Sequence, residues 1–176
     1  MPEKYWLSPL SAKNVNPNTP IGTKEVTGFA KGRVLDYGCG FGRLAPEFDD
    51  YVGVDLTEHR LAECRRQHPD KTFMLTTDLQ SDAVFDTVIL DNVLIHVPDD
   101  EIEDLLGDVT GFGERVIIAE HLGRHFRGRP LQWHRDLSEY EDIFECLGFT
   151  LMVTATVDNP NYRSAGKMSV MLWMPA

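Results

Sequence analysis

The sequence predicts a doubly wound α/β domain built on one mostly parallel sheet. Short apolar runs alternate along the chain with segments of helical periodicity, an order typical of parallel sheets covered by helices. The runs mostly lack the strict apolar–polar alternation of a half-exposed strand, as expected where both faces of the sheet are covered. A length of 176 residues and a hydrophobic content of 42% fit one globular domain.

Each element of this fold has a local signal. A helix is predicted after Thr57, another near 99–110, and a third after Ser138, where Ser138 and Glu141 have the spacing of a capping box. Two final apolar runs, separated by a turn-rich decade, predict a terminal antiparallel hairpin. The predicted strands are 33–37, 51–55, 72–76, 85–90 and 115–120, followed by the hairpin runs 149–157 and 168–174.

The first 24 residues predict an irregular arm, because four prolines interrupt any periodicity. Tyr5, Trp6 and Leu7 are too apolar for a free tail, so we expect residues 1–24 to fold over a single domain formed by residues 25–176. We find neither a window of about 18 apolar residues nor the order of a signal peptide. Three dispersed cysteines indicate no disulfide framework and no zinc site, so we expect a cytoplasmic protein.

Charge is distributed unevenly along the chain. A formal net charge of −11 disfavours nucleic acid as a partner, and we expect no membrane partner either. Segment 121–135, in contrast, contains four arginines and three of the six histidines without an acid, and it follows the fifth strand. Its cations could bind a phosphate or carboxylate of a ligand. A solvated loop that pairs with surface acids explains the same composition.

A glycine-rich turn follows the first strand and reads Asp36-Tyr37-Gly38-Cys39-Gly40-Phe41-Gly42. Glycines let the backbone turn sharply and approach a ligand closely. The spacing is GxGxG, and Arg43 stands where a dinucleotide fingerprint has its third glycine, which disfavours a nicotinamide-dependent oxidoreductase. Asp55 ends the second strand 19 residues after Asp36. A carboxylate at that place can accept hydrogen bonds from both hydroxyls of a ribose.

In this order and spacing, four segments resemble the class I S-adenosylmethionine-dependent methyltransferases. The resemblance covers roughly residues 30–157 and implies a seven-stranded, Rossmann-like methyltransferase fold. It also implies S-adenosylmethionine as cofactor, S-adenosylhomocysteine as product and no metal. The segments are the first strand with its turn (34–42), the second strand (51–55), the fourth strand with its following turn (85–99) and the late helix-to-strand junction (139–149).

The resemblance implies roles for individual residues. Asp36 would support the ammonium group of the cofactor, the backbone at Gly38 and Gly40 would pass its methionine part, and Asp55 would hold the ribose. Several carboxylates near the cationic parts of the ligand would offset the cost of removing those parts from water.

Two further loops complete the implied cofactor site. Asp78 and Leu79 would flank the adenine, and Asp91 with Asn92 would face the sulfonium and its methyl group. The cofactor-binding positions that we expect are Asp36, Tyr37, Gly38, Cys39, Gly40, Gly42, Asp55, Leu56, Asp78, Leu79, Asp91, Asn92 and Val93.

His96 and Asp91 are the catalytic candidates. Histidine has an unperturbed pKa near neutrality, so His96 could act as a general base. A histidine that caps the next helix or packs beneath the cofactor is the alternative, because methyl transfer can be accelerated by positioning alone. The residues that we expect at the acceptor are Trp6, His121, Arg124, His125 and Arg127.

The predicted function is methyl transfer to a small acceptor, which could carry an anionic group. Two alternatives share the same motifs. One is a catalytically silent, methyltransferase-like binding subunit that depends on a partner protein. The other is a nucleic-acid methyltransferase whose contact is the basic segment 121–135, which the overall acidity disfavours.

Overall fold

A computed structural model describes residues 22–123, 132–158 and 167–176. Most of the predicted N-terminal arm therefore lies outside the described residues. The strands within these ranges are β1 (Val34–Tyr37), β2 (Tyr51–Asp55), β3 (Thr72–Leu75), β4 (Thr87–Asp91), β5 (Val116–Glu120), β6 (Phe149–Asp158) and β7 (Lys167–Pro175), and the α-helices are α1 (Thr23–Phe29), α2 (Glu58–Gln67), α3 (Ile102–Thr110) and α4 (Leu137–Cys146).

The seven strands form one sheet in the order β3-β2-β1-β4-β5-β7-β6. Neighbours from β3 to β5 are parallel, whereas β7 runs antiparallel between β5 and β6. The predicted mostly parallel sheet with a terminal antiparallel hairpin is confirmed. Strand order reverses at β1, which lies between β2 and β4, and ligands of such sheets bind at the carboxyl ends of the strands near that point.

Helices cover both faces of the sheet. Leu106 of α3 and Phe144 of α4 are fully buried on one face, where the ring of Phe144 stacks on Trp173 with centroids 4.3 Å apart. Val26 of α1 and Leu61 of α2 are fully buried in the cluster on the other face. Burial on both sides explains why the strand runs are nearly continuous in apolar residues.

The connection from β1 to β2 is unusually short. In place of an α-helix, the described chain has a single 3-10 turn, Ala45–Glu47, that contains Pro46. The eight residues between the glycine turn and β2, 43–50, contain no α-helix. Helix α2 therefore packs close to the glycine turn, and the Cys64 thiol donates to the Gly40 carbonyl oxygen at 3.3 Å.

Two local predictions about helix starts need correction. The capping box of α4 is formed by Asp136 and Glu139, not by Ser138 and Glu141, and the Asp136 amide donates to Glu139 Oε2 at 2.9 Å. Both pairs have the same spacing, and only the packing of the helix selects between them. Helix α1 begins at Thr23, inside the stretch predicted to be irregular.

Within the described ranges, no helix is long and apolar enough to cross a bilayer. The predicted cytoplasmic location stays a prediction.

Candidate cofactor site

The glycine turn follows β1 and lies against the carboxyl end of the neighbouring strand β2. Gly38, Gly40 and Gly42 all have positive φ angles, +82°, +57° and +70°. Such angles favour glycine because a Cβ would be crowded by the backbone. The amides of Gly38 and Cys39 donate to the Val54 carbonyl oxygen at 2.8 and 2.9 Å, so the turn is held directly against β2.

The three glycines differ in what surrounds them. A Cβ on Gly38 would lie 2.6 Å from a methyl carbon of Val93, and one on Gly42 would lie 3.2 Å from the Cys64 sulfur. A Cβ on Gly40 would meet no atom within 4 Å. Gly38 and Gly42 are thus required by packing inside the protein, whereas the backbone at Gly40 faces open space that a ligand could fill.

Asp55 adjoins this open space. Its side chain is 7% exposed, with Oδ2 accepting from the Gly40 amide at 3.0 Å and Oδ1 accepting from the Thr57 amide at 2.9 Å. Arg60 Nη1 lies 3.7 Å from Oδ2. Each carboxylate oxygen can accept more than one hydrogen bond, so both remain able to receive a hydroxyl. The neighbouring Leu56 exposes 52% of its surface and offers an apolar face to a ring.

Asp36 is almost completely buried beneath the turn and accepts a hydrogen bond from the Tyr51 hydroxyl at 2.6 Å. Burial raises the pKa of Asp36 to about 7, and the carboxylates of Asp91 and Asp55 act in the same direction. A cationic ligand nearby would favour the charged form. Tyr51 had no place in the predicted site, because its partner Asp36 is 15 residues away in the sequence.

Asp91 ends β4 and faces the glycine turn. Its Oδ2 forms an ion pair with Arg43 Nη2, and its Oδ1 accepts from Asn92 Nδ2 at 2.8 Å. Asn92 has a φ of +55°, and Val93 packs on Gly38 as described above. The structure thus brings the predicted residues 91–93 to the turn. It adds Arg43, which the sequence indicated only as a departure from the dinucleotide pattern.

The remaining predicted cofactor residues are placed as follows. Asp78 ends a 3-10 turn after β3, at the same edge of the sheet as Asp55, and is exposed, while Leu79 is half-buried. Tyr37 is half-buried. Cys39 is buried, and contact with the Cys64 thiol together with burial raises the pKa of its thiol.

The turn that carries His96, Leu94–His96, is held from both ends. Glu120 Oε1 accepts from the amides of Leu94 and Ile95 at 2.7 and 3.3 Å. Arg135 donates to the carbonyl oxygens of Leu94 and Val97 at 3.0 and 2.8 Å. His96 itself is half-buried in this turn. The structure therefore fixes the backbone around the predicted catalytic histidine through two residues that local sequence signals did not reveal.

Glu120 is fully buried at the end of β5. Burial raises its pKa to about 8, although the amides of Leu94 and Ile95 and the charge of Arg135 lower it. Its Oε2 is buried without a hydrogen-bond partner in the described part of the chain. In the sequence, Glu120 is only the last residue of an apolar run.

In the described part of the basic segment, residues 121–123 and 132–135 are buried or half-buried. Arg135 is 2% exposed and pairs with Asp99 at 2.8 Å, in addition to its backbone contacts. His121 is 3% exposed, with Nδ1 3.1 Å from the Lys167 carbonyl oxygen, and Nδ1 of the buried His134 lies 3.2 Å from the His121 carbonyl oxygen. The role of His121 at the acceptor stays a prediction. Trp6, Arg124, His125 and Arg127 lie outside the described residues.

No group of three or more His, Cys, Asp or Glu side chains is arranged to hold a metal ion in residues 22–123, 132–158 and 167–176. The site thus consists of a glycine turn, a strand-end carboxylate and acidic side chains at the switch point of an open sheet. Fold and site together are typical of doubly wound α/β proteins that bind a nucleotide cofactor in the crevice at the carboxyl ends of their strands.

Comparisons with known proteins indicate a more specific class of protein than the fold alone. Residues 35–109 match the methyltransferase domain family. The fold is similar to magnesium protoporphyrin IX methyltransferase of Synechocystis PCC 6803 with bound S-adenosylhomocysteine (TM-score 0.73, 19% identity, 88% of this chain and 82% of that chain). It is also similar to a TehB-like S-adenosylmethionine-dependent methyltransferase of Corynebacterium glutamicum (TM-score 0.69, 19% identity, 95% and 92%) and to the glycopeptide N-methyltransferase MtfA (TM-score 0.68, 15% identity, 88% and 90%).

No functionally curated protein matches the sequence significantly. The family match over residues 35–109 supports the predicted S-adenosylmethionine-dependent methyltransferase family and enzyme class, and the solved structures support the fold.

Proposed function

We propose that this protein binds S-adenosylmethionine between the glycine turn and Asp55 and transfers its methyl group to a small acceptor. The observation that carries the proposal is the hydrogen bond from the Gly40 amide to the Asp55 carboxylate, beside open space at Gly40. The turn and the carboxylate thus meet where a ligand can reach both. The bound S-adenosylhomocysteine of the cyanobacterial relative supports this choice of cofactor.

The side chains around the crevice fit the chemistry of this ligand. Asp55 would accept hydrogen bonds from the ribose hydroxyls, and the exposed Leu56 would pack on the adenine, with Asp78 and Leu79 at its edge. Asp36 and Asp91 supply negative charge near the cationic parts, which offsets the cost of desolvating them. When bound, the cofactor supplies an activated methyl group on a cationic sulfur leaving group.

For the transfer, the protein has to orient the acceptor and exclude water. The turn Leu94–His96 follows β4 and carries His96, and Asn92 directly follows β4. Positioning of the acceptor here could account for much of the acceleration. His96 and Asp91 are the residues that we propose for any proton transfer. An anionic acceptor would depend on Arg124 and Arg127, because Arg43, Arg60 and Arg135 lie beside carboxylates in the described chain.

The activity is tested with S-adenosylmethionine labelled in its methyl group, incubated with panels of small carboxylic acids, amines and phosphorylated compounds. We expect label in one small-molecule class, with an equal amount of S-adenosylhomocysteine formed. Protein that binds the cofactor but transfers no label to any panel would favour the catalytically silent subunit. Label found only in added nucleic acid would favour the nucleic-acid methyltransferase.

Gly40→Ala is expected to weaken binding of S-adenosylhomocysteine about tenfold. The added methyl group would point into the space of the ligand, and the positive φ of +57° would cost roughly 1 kcal/mol of stability. Titration calorimetry measures the affinity. Gly28→Ala in α1 is the matched control, because nothing lies within 4 Å of a Cβ at that position and it is not a left-handed residue. If the Gly40→Ala and Gly28→Ala proteins bind the ligand with equal affinity, Gly40 does not contact the ligand.

A further inference from the structure

We propose that Glu120 is a positioning residue for methyl transfer, which acts by holding the turn that carries His96 at the carboxyl end of β4. The inference rests on the proposed function and gives a task to a buried acid that was not among the predicted site residues. Glu120 would touch neither the cofactor nor the acceptor. Its effect on the reaction would pass through the backbone of the turn Leu94–His96 and reach the His96 imidazole.

Residues distant in the sequence bind the backbone of the turn Leu94–His96 on both its amide and its carbonyl side. Glu120 Oε1 accepts from the first two amides of the turn, at 2.7 and 3.3 Å. Arg135 donates to the first carbonyl oxygen of the turn at 3.0 Å and to that of Val97 at 2.8 Å. The Trp133 amide donates to the second carbonyl oxygen of the turn at 2.7 Å. Glu120 thus supplies the acceptor for the amide side of the turn.

The turn links Glu120 to the candidate site. Its first two side chains, Leu94 and Ile95, are 0% and 6% exposed, whereas His96 is half-buried. The His96 amide donates to the carbonyl oxygen of Val93 at 2.9 Å, and the Val93 side chain packs on Gly38 of the glycine turn. Because the turn is so short, a shift of its first two amides would also move His96 relative to the glycine turn.

The cost of burying Glu120 favours a positioning role over support of the fold alone. Glu120 is fully buried, and its Oε2 has no hydrogen-bond partner within residues 22–123, 132–158 and 167–176. A buried oxygen without a partner lowers the stability of a folded protein. The hydrogen bonds recorded for the Glu120 side chain in these ranges go to the turn that carries His96. A group that costs stability while it holds one short turn is typical of functional sites.

The first test compares Glu120→Ala with Glu120→Gln in the methyl-label experiment with the small-molecule panels. We expect Glu120→Ala to transfer label at least about tenfold more slowly per cofactor-binding site, because a small displacement of a group that orients the acceptor is costly. Glu120→Gln keeps an oxygen for both amides and should recover the rate to within about threefold of the unaltered protein. Both variants should bind S-adenosylhomocysteine within about threefold of the unaltered protein in titration calorimetry, because the amides of Gly38 and Cys39 hold the glycine turn through Val54.

Glu114→Ala is the matched control for this test, because Glu114 is exposed ahead of β5. A normal rate in Glu120→Ala, or a loss of cofactor affinity as large as the loss of rate, would overturn the inference and leave the proposed function intact. A Glu120→Gln protein as slow as Glu120→Ala would also overturn it. If the unaltered protein transferred no label to any panel, the proposed function itself would fail, and this inference with it.

The second test asks whether Glu120 acts through His96. In a double-mutant cycle, Glu120→Ala should slow label transfer less than about twofold when His96→Gln is already present, because the residue that it positions has been removed. The full loss of rate in that background, or a normal rate in His96→Gln alone, would overturn the inference.

Hydrogen exchange measures the contact itself and does not depend on activity. The backbone amides of Leu94 and Ile95 should exchange at least about tenfold faster in Glu120→Ala than in Glu120→Gln, because the alanine variant has lost their acceptor. Equal exchange in the two variants would show that Glu120 does not hold the turn, and would overturn the inference.

Discussion

Asp55→Ala is expected to lower the affinity for S-adenosylhomocysteine at least about 30-fold, because the variant loses the proposed ribose acceptor and one of the contacts that hold the glycine turn. Truncating one partner of a buried, hydrogen-bonded charged contact costs 2 kcal/mol or more. In this protein, the same carboxylate accepts from Gly40 and Thr57, so the turn would also lose one of its contacts with the end of β2, while the Gly38 and Cys39 amides keep theirs with Val54. Titration calorimetry on purified protein measures the affinity directly.

Two further variants make this result specific. Asp55→Asn keeps the shape and one acceptor oxygen, so we expect an affinity between those of the unaltered protein and the alanine variant. Asp70→Ala changes an exposed carboxylate that precedes β3, at the opposite end of the sheet from the carboxyl ends of the strands, and should bind like the unaltered protein. An Asp55→Ala protein that remains folded and binds with undiminished affinity would refute the ribose assignment.

The second large effect is a pH dependence of stability that comes from Glu120. Its pKa is about 8 in the folded protein, against roughly 4.3 for an unperturbed glutamate. Between these values the folded state keeps a proton that the unfolded chain releases. The contribution of Glu120 to the free energy of unfolding is therefore complete below about pH 4 and is lost as the pH rises toward 8. Asp36, with a pKa of about 7, adds a change of the same sign between its unfolded value and pH 7.

Glu120→Gln should remove the part of this pH dependence that comes from Glu120. For one proton, the free energy of unfolding changes by on the order of 1 kcal/mol per pH unit. The amide keeps an oxygen for the Leu94 and Ile95 amides and carries no charge at any pH. We expect the variant to gain stability relative to the unaltered protein as the pH rises from 5 to 8. Urea unfolding at a series of pH values measures the free energy of unfolding at each point.

Glu114→Gln provides the comparison for this experiment. Glu114 is exposed two residues before the start of β5, away from the buried end that carries Glu120, so its substitution should leave the slope unchanged. If Glu120→Gln has the same pH slope as the unaltered protein, Glu120 is charged in the folded state, and its assignment as a buried neutral acid is wrong.

Much of the fold could be predicted because its signals are local. Continuous apolar runs identify strands that are covered on both faces, and two runs around a turn-rich decade identify the hairpin. The glycine turn and Asp55 could be predicted because the left-handed angles need glycine and because a strand-end acid has a fixed place relative to that turn. The structure places both where the sequence indicates.

The predicted boundaries of strands and helices were less accurate, because contacts with segments distant in the sequence decide where an element begins and ends. The fourth strand begins at Thr87 and not at Phe85, since the Phe85 amide donates to the Phe112 carbonyl oxygen and the Asp86 amide donates to that of Arg33. Helix α1 has seven residues and a single buried side chain, Val26, which leaves almost no periodicity to detect.

Tyr51, Arg43, Glu120 and Arg135 could not be assigned for a related reason. Each acts through a partner that is distant in sequence: the Tyr51 hydroxyl reaches Asp36, and Glu120 reaches the amides of Leu94 and Ile95. Local composition even suggested that Arg135 belongs to a basic surface, whereas burial turns it toward backbone carbonyl oxygens. Only the folded arrangement shows which charged residues support the site.

The most direct measurement is a crystal structure of the protein with S-adenosylhomocysteine. We predict the adenosine in the crevice, its ribose hydroxyls within hydrogen-bonding distance of the Asp55 carboxylate and its chain passing Gly40. A crevice that stays empty at saturating ligand, or a ligand bound away from Asp55, would contradict the account.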